Sequence, residues 1–101
     1  MNNMINVTNG SKIGMEIMVR LANALFTHHS IKKIHLYFYS RTNWHSFERH
    51  MDLLIKNGHV ECKTIEKDEG YFLTESGREV LEHLLKFHEK IRKNSSVIQV
   101  L

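Results

Sequence analysis

Two arginines and four neutral hydrogen-bonding side chains lie within one short stretch of the sequence, between positions 41 and 49. Arg41 and Arg49 carry planar guanidinium groups that can donate paired hydrogen bonds to a phosphate or to a guanine base. Asn43 and Ser46 can hydrogen-bond base edges or phosphate oxygens. The chemistry that these residue types favour is binding, and the full candidate set is Arg41, Thr42, Asn43, His45, Ser46 and Arg49.

The histidines and the single cysteine do not have metal-ligand spacing. Two of the eight histidines are adjacent, and His45 with His50, like His83 with His88, are five residues apart, which places each pair on different helix faces. Cys62 has no neighbour at ligand spacing, and it cannot form an intrachain disulfide, although an intermolecular one stays open. No paired carboxylates, nucleophile motif or glycine-rich phosphate loop is evident. We therefore expect no enzymatic activity, no metal and no cofactor.

Basic residues are concentrated in the first half of the chain. From Lys12 to His50 there are six basic and two acidic residues, a balance of +4, whereas Asp52 to Lys93 has eight basic and nine acidic residues, a balance of −1. A phosphate-binding surface requires such a local concentration of cations.

The length of 101 residues and the 42% hydrophobic content suffice for one modest core. Domains of this size often gain stability by dimerising. No stretch approaches the ~20 apolar residues of a membrane span. The first ten residues lack a signal-type apolar run, so we expect no membrane association and a cytoplasmic location.

Apolar spacing predicts four helices. The first is capped by Ser11 and runs to Thr27, and its apolar arc is wide enough to need cover on two sides, one of them from a second subunit. The second is capped by Ser30 and runs to about Phe38. The third runs from Asn43 to Asn57, with Thr42 or Asn43 as its cap and Gly58 at its end. The fourth is capped by Thr74 and ends near Lys93.

A β-hairpin is predicted between the third and fourth helices. Val60, Cys62 and Thr64 alternate with polar residues, as in a half-buried strand, and Tyr71 to Leu73 forms the return strand. The predicted fold is thus mainly α with a small β-hairpin, in the order α-α-α-β-β-α that defines a winged helix-turn-helix. Residues 1–10 form a lead-in, 11–93 the domain with a dimerisation helix at 75–93, and 94–101 a tail that extends the helix, adds a strand or stays mobile.

Two segments resemble an archaeal winged-helix family of small chromatin-associated or regulatory DNA-binding proteins, which dimerise through a C-terminal antiparallel coiled coil. The first is KIHLYFYSRTNWHSFERHMDLLIKNGHVE, with its aromatic residues and its leucines before Gly58 in register. The second is YFLTESGREVLEHLLKFHEKI, whose Leu73-Thr74-Glu75-Ser76-Gly77 portion is widespread among winged helices. Two features depart from the family: the wing turn from Glu66 to Glu69 is acidic, and the last helix is short for a coiled coil, at ~27 Å.

The resemblance implies a homodimer that binds double-stranded DNA. The second helix of a helix-turn-helix enters the major groove with its N-terminal end first, which selects the residues from Arg41 to Arg49 named above. Lys32 and Lys33, at the start of the preceding helix, are expected to contact the sugar–phosphate backbone. The expected dimer interface consists of Leu81, Leu84, Leu85, His88 and Ile91.

Other functions stay open at this point. A transcriptional regulator is favoured over an architectural chromatin protein. The acidic wing turn is the best argument for the alternative, a winged-helix protein-interaction module without DNA binding. A ligand- or metal-sensing regulator would have to use Cys62 and the histidines, although no small-molecule site is evident. Trp44 and Tyr37 are expected in the core rather than as base-stacking groups.

Overall fold

The computed structural model describes the backbone of residues 13–100 and the side chains of residues 13–94. Four helices and three strands follow one another: α1 (Met15–Thr27), β1 (Ile31–Lys32), α2 (Lys33–Ser40), α3 (Trp44–Lys56), β2 (Val60–Ile65), β3 (Asp68–Leu73) and α4 (Glu75–Val100). The predicted mainly α architecture with a β-hairpin before the last helix is confirmed. Gly14 occupies the N-cap of α1, and the predicted cap, Ser11, lies outside the described residues. Within that range no helix combines the length and the apolar character needed to cross a membrane.

Strand β1 is a correction to the predicted second helix. Ser30 does not cap a helix; Ile31 and Lys32 instead pair antiparallel with Tyr71 and Gly70 of β3, which makes a sheet in the order β1-β3-β2. The pairing buries Ile31 to 4% exposure and gives β3 a hydrogen-bonded neighbour on both edges. Helix α2 therefore starts at Lys33, and it runs to Ser40 rather than to Phe38.

Both ends of α3 are fixed by local hydrogen bonds, as the sequence predicts. The side chain of Asn43 accepts a hydrogen bond from the backbone N–H of Ser46 at 2.8 Å. At the other end, Gly58 has a φ of +75°, and the N–H groups of Gly58 and His59 reach the carbonyls of Ile55 and Leu54 at 3.0 and 2.9 Å. These two bonds form a Schellman motif, which gives the helix a defined end.

The start of α4 is hydrogen-bonded to the end of α3. The hydroxyl of Thr74 donates to the carbonyl of Gly58 at 2.6 Å and accepts from the N–H of Gly77 at 3.0 Å, so one side chain caps α4 and holds α3. Gly77 has no room for a side chain, because a Cβ there would lie 1.9 Å from the carbonyl oxygen of His59. The Leu-Thr-x-x-Gly pattern is explained by these contacts, which fix the hairpin relative to α3.

The hairpin is less buried than its alternation predicts. Val60 is buried, but Cys62 and Thr64 are exposed, because the strands extend beyond the core. Strand β3 also begins at Asp68 rather than at Tyr71, which leaves a two-residue turn at Glu66 and Lys67 with φ values of +50° and +74°.

The core lies between α1, α2, α3 and the sheet. Leu21, Leu36 and Phe47 are completely buried, and Tyr71 and Leu81 are 2% exposed. Helix α4 contributes Leu81 to this core and then continues to Val100, beyond the predicted end at Lys93. Its 26 residues correspond to a helix of ~39 Å, which removes the shortness noted from the sequence.

Candidate nucleic-acid interface

Helix α3 divides into a buried face and an outer face. Phe47, Met51 and Leu54 are 0–3% exposed and hold the helix in the core. The outer face is the row of His45, Arg49, Asp52 and Lys56, which recur at three- or four-residue intervals on the opposite side. The predicted binding residues on α3 are thus held by a rigid element whose apolar side is anchored inside the protein.

The N-terminal end of α3 exposes hydrogen-bonding groups of three consecutive residues. Arg41 ends α2 in the left-handed conformation, with a φ of +54°, and is exposed. Thr42 is half-buried, and Asn43 is exposed. The side-chain oxygen Oδ1 of Asn43 accepts the capping hydrogen bond, so the side-chain NH₂ group can donate to an approaching acceptor.

Arg49 and His45 are joined on the outer face. Their atoms Nη2 and Nε2 are 2.6 Å apart, and a guanidinium group can only donate, so Nε2 of His45 is the acceptor. The contact holds the guanidinium of Arg49 above the outer face of α3. It also leaves the remaining N–H groups of Arg49 for an external acceptor.

The start of α1 lies beside the outer face. Ile13 and α3 residues line a groove of about 380 Å³, and the N–H of Gly14 donates to Nε2 of buried His50 at 2.9 Å. Nδ1 of His50 in turn donates to the carbonyl of Ser46 at 2.7 Å. His50 therefore joins α1 to the N-terminal half of α3, and the pair His45/His50 lies on different faces as expected.

Lys32 and Lys33 are brought next to acidic residues that the sequence did not connect with them. Nζ of Lys32 is 2.9 Å from a carboxylate oxygen of Glu66 and 3.2 Å from one of Asp68. Nζ of Lys33 is 3.1 Å from Glu48 and 3.5 Å from Glu69. Both lysines are therefore paired with carboxylates of the wing or of α3 in the free protein, which opposes the predicted phosphate contact.

The pKa values of the two lysines reflect these pairs. Hydrogen bonds to Glu66 and Asp68 raise the pKa of Lys32. Burial is the largest single effect on the pKa of Lys33 and lowers it, but the hydrogen bond to Glu48 and the charges nearby, those of Glu69 and Glu48 among them, together raise the pKa above its ordinary value. Both ammonium groups thus stay charged and bound to their carboxylates at neutral pH.

An aromatic cluster lies where α2 meets α3, and part of it is exposed. The Tyr37 ring is 5.0 Å from that of Trp44 and 5.4 Å from that of Phe47. Trp44 was predicted in the core, but it is 42% exposed at the start of α3, where its ring contacts those of Tyr37 and Phe47 and lies 5.2 Å from Nζ of Lys33. Ile34 and Phe38, at 49% and 68%, extend this apolar surface, and helical spacing alone did not indicate it.

The predicted dimer residues of α4 divide into two groups. Leu81 is 2% exposed in the core of its own chain, and Leu84 and Leu85 pack against that core. Nε2 of His88 lies 3.3 Å from a carboxylate oxygen of Glu16 in the same chain. Of the five, only Ile91 is an exposed apolar residue, at 40%.

Two apolar residues of α4 that the prediction omitted are exposed. Val80 and Phe87 are 43% and 54% exposed, and together with Leu84 and Ile91 they recur at intervals of four, three and four residues. This spacing forms one continuous apolar stripe along the helix, which we call the α4 stripe.

Within residues 13–94, no three His, Cys, Asp or Glu side chains are grouped so that they could hold a metal ion. Cys62 is exposed and free.

No protein-family model and no curated protein sequence matches this chain. Several solved structures are similar to this chain. Sso10a-2, a DNA-binding protein from Sulfolobus solfataricus, superposes with a TM-score of 0.62 and 21% identity, over 87% of this chain and 94% of that chain. SSV1 F-93 has a TM-score of 0.66 and 22% identity, over 80% and 92% of the two chains. A MarR-family transcriptional regulator from Silicibacter pomeroyi has a TM-score of 0.67 and 17% identity, over 93% and 64%.

At these identities the superpositions establish the fold and nothing further. The element order, the helix-turn-helix formed by α2 and α3 and the antiparallel wing define a winged helix-turn-helix protein.

Proposed function

We propose that this protein binds double-stranded DNA and regulates transcription. The observation that carries the proposal is the outer face of α3 with the turn before it. Arg41 is exposed in the turn before α3, and Arg49 is half-buried on α3 itself. The opposite face of α3 is anchored in the core by Phe47 and Met51. The major groove is ~12 Å wide and admits one helix. The proposed DNA contacts are Arg41, Thr42, Asn43, His45, Ser46 and Arg49.

The roles of structurally similar proteins support the proposal. Sso10a-2 is described as a DNA-binding protein, and the Silicibacter pomeroyi protein as a transcriptional regulator. DNA binding by this chain agrees with the cytoplasmic location and the absence of enzymatic activity predicted from the sequence.

We infer that two copies associate through the α4 stripe. Val80, Leu84, Phe87 and Ile91 have the alternating four- and three-residue spacing with which one helix packs along another. Apolar side chains this exposed on one helix face are typical of an interface. A second copy offers the same stripe over the same ~17 Å of helix, from Val80 to Ile91, which makes it the best-matched occupant. The interface proposed from sequence keeps Leu84 and Ile91 and gains Val80 and Phe87.

Lys32 and Lys33 have a smaller place in this proposal than in the sequence prediction. A phosphate would have to displace Glu66 and Asp68 from Lys32, or Glu48 and Glu69 from Lys33. We therefore assign the charge contacts of the free protein to Arg41 and Arg49. With both subunits engaged these make four phosphate contacts, which should cost on the order of 10²-fold in affinity between 50 and 200 mM salt.

The test is duplex binding by fluorescence anisotropy across a salt series, with native mass spectrometry of the same samples. Arg49→Ala should lower DNA affinity and flatten the salt dependence, while the melting temperature stays unchanged. Lys86→Ala removes one positive charge from the exposed side of α4 and serves as the control. Equal effects of the two variants on DNA affinity would contradict a role for Arg49 in binding.

One observation favours a second candidate, a protein-interaction module. Ile34, Phe38 and Trp44 form an exposed apolar surface beside α3, and the wing next to it is acidic. Absent or salt-insensitive duplex binding would favour this candidate over DNA recognition.

A further inference from the structure

A second cationic surface lies beside the turn between α2 and α3. The C-terminal half of α1 and the turn between α2 and α3 enclose a pocket of about 330 Å³, which we call the α1 pocket. Two arginines from distant parts of the chain, Arg20 and Arg41, line it together. None of its lining residues is acidic; the others are Asn23, Ala24, Thr27, His28 and Tyr39.

Arg20 is held in place by the protein. Its Nε donates to the carbonyl of Ser40 at 2.8 Å, and Ser40 is completely buried at the end of α2. Its Nη1 is 3.9 Å from Glu16, too far for a hydrogen bond. The terminal N–H groups of Arg20 therefore keep donor capacity for an anion, and the fixed guanidinium has little conformational entropy left to lose on binding.

Arg41 brings a second guanidinium to the same pocket. It follows Ser40 directly, and its left-handed backbone starts the turn that leads into α3. The pocket is therefore adjacent to the N-terminal end of α3, where the proposed DNA contacts begin. Two guanidinium groups and the amide of Asn23 form a donor set that suits a tetrahedral oxyanion.

The wing side of α3 has the opposite character. There Lys32 and Lys33 are bound to four carboxylates, those of Glu48, Glu66, Asp68 and Glu69. A phosphate approaching the wing side meets charges that are already paired. On the α1 side it meets two arginines without a carboxylate in the pocket.

We propose that the α1 pocket seats one phosphate of the DNA backbone between Arg20 and Arg41, so that the flank formed by α1, rather than the wing, holds the duplex. The inference rests on the proposed DNA binding and extends it to two residues outside the helix-turn-helix, Arg20 and Asn23. The pocket phosphate is the one assigned above to Arg41, so the expected number of phosphate contacts stays at four in a dimer, and Arg20 adds a second guanidinium to it.

The deciding variant is Asn23→Asp, which places a carboxylate in the pocket without a change of side-chain size. Asn23 is exposed, and asparagine and aspartate have similar helix propensities, so folding should be unaffected. Lys86→Gln, on the exposed side of α4, changes the net charge by the same amount and is the matched control. In a dimer, Asn23→Asp should lower the magnitude of the slope of log affinity against log salt concentration by about 1.8. The loss of DNA affinity between 50 and 200 mM salt should then be about tenfold smaller than in the wild type. Lys86→Gln should leave the slope at its wild-type value.

Two further measurements identify the source of the phosphate. Duplexes with single neutral methylphosphonate linkages, placed in turn along one strand, should reveal a position at which wild type and Asn23→Asp bind equally. Inorganic phosphate, exchanged for chloride at constant ionic strength, should not compete with DNA. Competition by inorganic phosphate in the wild type, but not in Asn23→Asp, would mean a site for free oxyanions and would overturn the proposal.

The failure of this inference differs from the failure of DNA binding itself. Steep salt-dependent binding by the wild type, with equal slopes for Asn23→Asp and Lys86→Gln, would overturn the α1 pocket alone. Absence of duplex binding by the wild type would overturn both.

Discussion

The ion pairs between the wing and Lys32 predict that removal of two carboxylates should create a new DNA contact. The double variant Glu66→Gln/Asp68→Asn removes both partners of Lys32, which lie 2.9 and 3.2 Å from its Nζ. Side-chain size is nearly unchanged, whereas each carboxylate loses its charge and one of its two acceptor oxygens. The Lys32 side chain is 23% exposed in its present contacts, and its ammonium group would then be available to a phosphate at the start of α2.

The magnitude follows from counterion release. Each added phosphate contact steepens the salt slope by about 0.9, so one new contact in each subunit of a dimer adds about 1.8. Between 50 and 200 mM salt this multiplies the loss of affinity by about 12. Binding at the lower salt concentration should be tighter than in the wild type, because the added attraction is least screened there.

The assay is anisotropy of a labelled duplex of mixed sequence across that salt range. Glu82→Gln/Glu89→Gln is the control, because Glu82 and Glu89 are partners of Lys86 and Arg92 on α4 and the net charge changes equally. The control should bind DNA more tightly than the wild type only because its net charge is more positive, and its salt dependence should be unchanged. Identical slopes in the two double variants would refute the reasoning, since Lys32 would then not reach the backbone even when free.

Three further predictions concern stability and assembly. Gly77→Ala should destabilise the fold by about 1–3 kcal/mol, because its Cβ would lie 1.9 Å from the backbone oxygen of His59. In thermal unfolding this loss should exceed that of Gly14→Ala, where the nearest atom is 3.7 Å away and only the poorer N-cap preference of alanine acts. Burial raises the pKa of the Tyr71 hydroxyl from 10.0 to about 12, so the free energy of unfolding should fall as the pH rises from 10 toward 12. In denaturant titrations Tyr71→Phe should lose about 3 kcal/mol less than the wild type over this range, because it has no hydroxyl to ionise. An equal fall in the wild type and in Tyr71→Phe would contradict this prediction. Phe87→Glu should convert the proposed dimer to monomer in native mass spectra, whereas its neighbour Lys86→Glu should not. A dimer in both variants would exclude the α4 stripe as the interface.

The sequence by itself determined the features that depend on near neighbours along the chain. Apolar spacing located α3 and its outer face, and short-range capping signals at Asn43, Gly58 and Thr74 fixed where helices begin and end. These features involve residues within one or two helical turns of each other, so residue type and spacing are sufficient to predict them.

Tertiary structure alone decided which charges are free and which apolar residues are covered. Lys32 and Glu66 are 34 positions apart, and Arg20 lies in α1 whereas Arg41 lies in the turn between α2 and α3, so no local pattern indicated the acidic wing contact or the α1 pocket. Leu81 and Phe87 look alike in the helical pattern, yet the first is buried in its own chain and the second is exposed. Electrostatic pairing and burial depend on distances in the folded chain, and those are set by how β1, the wing and α4 pack together.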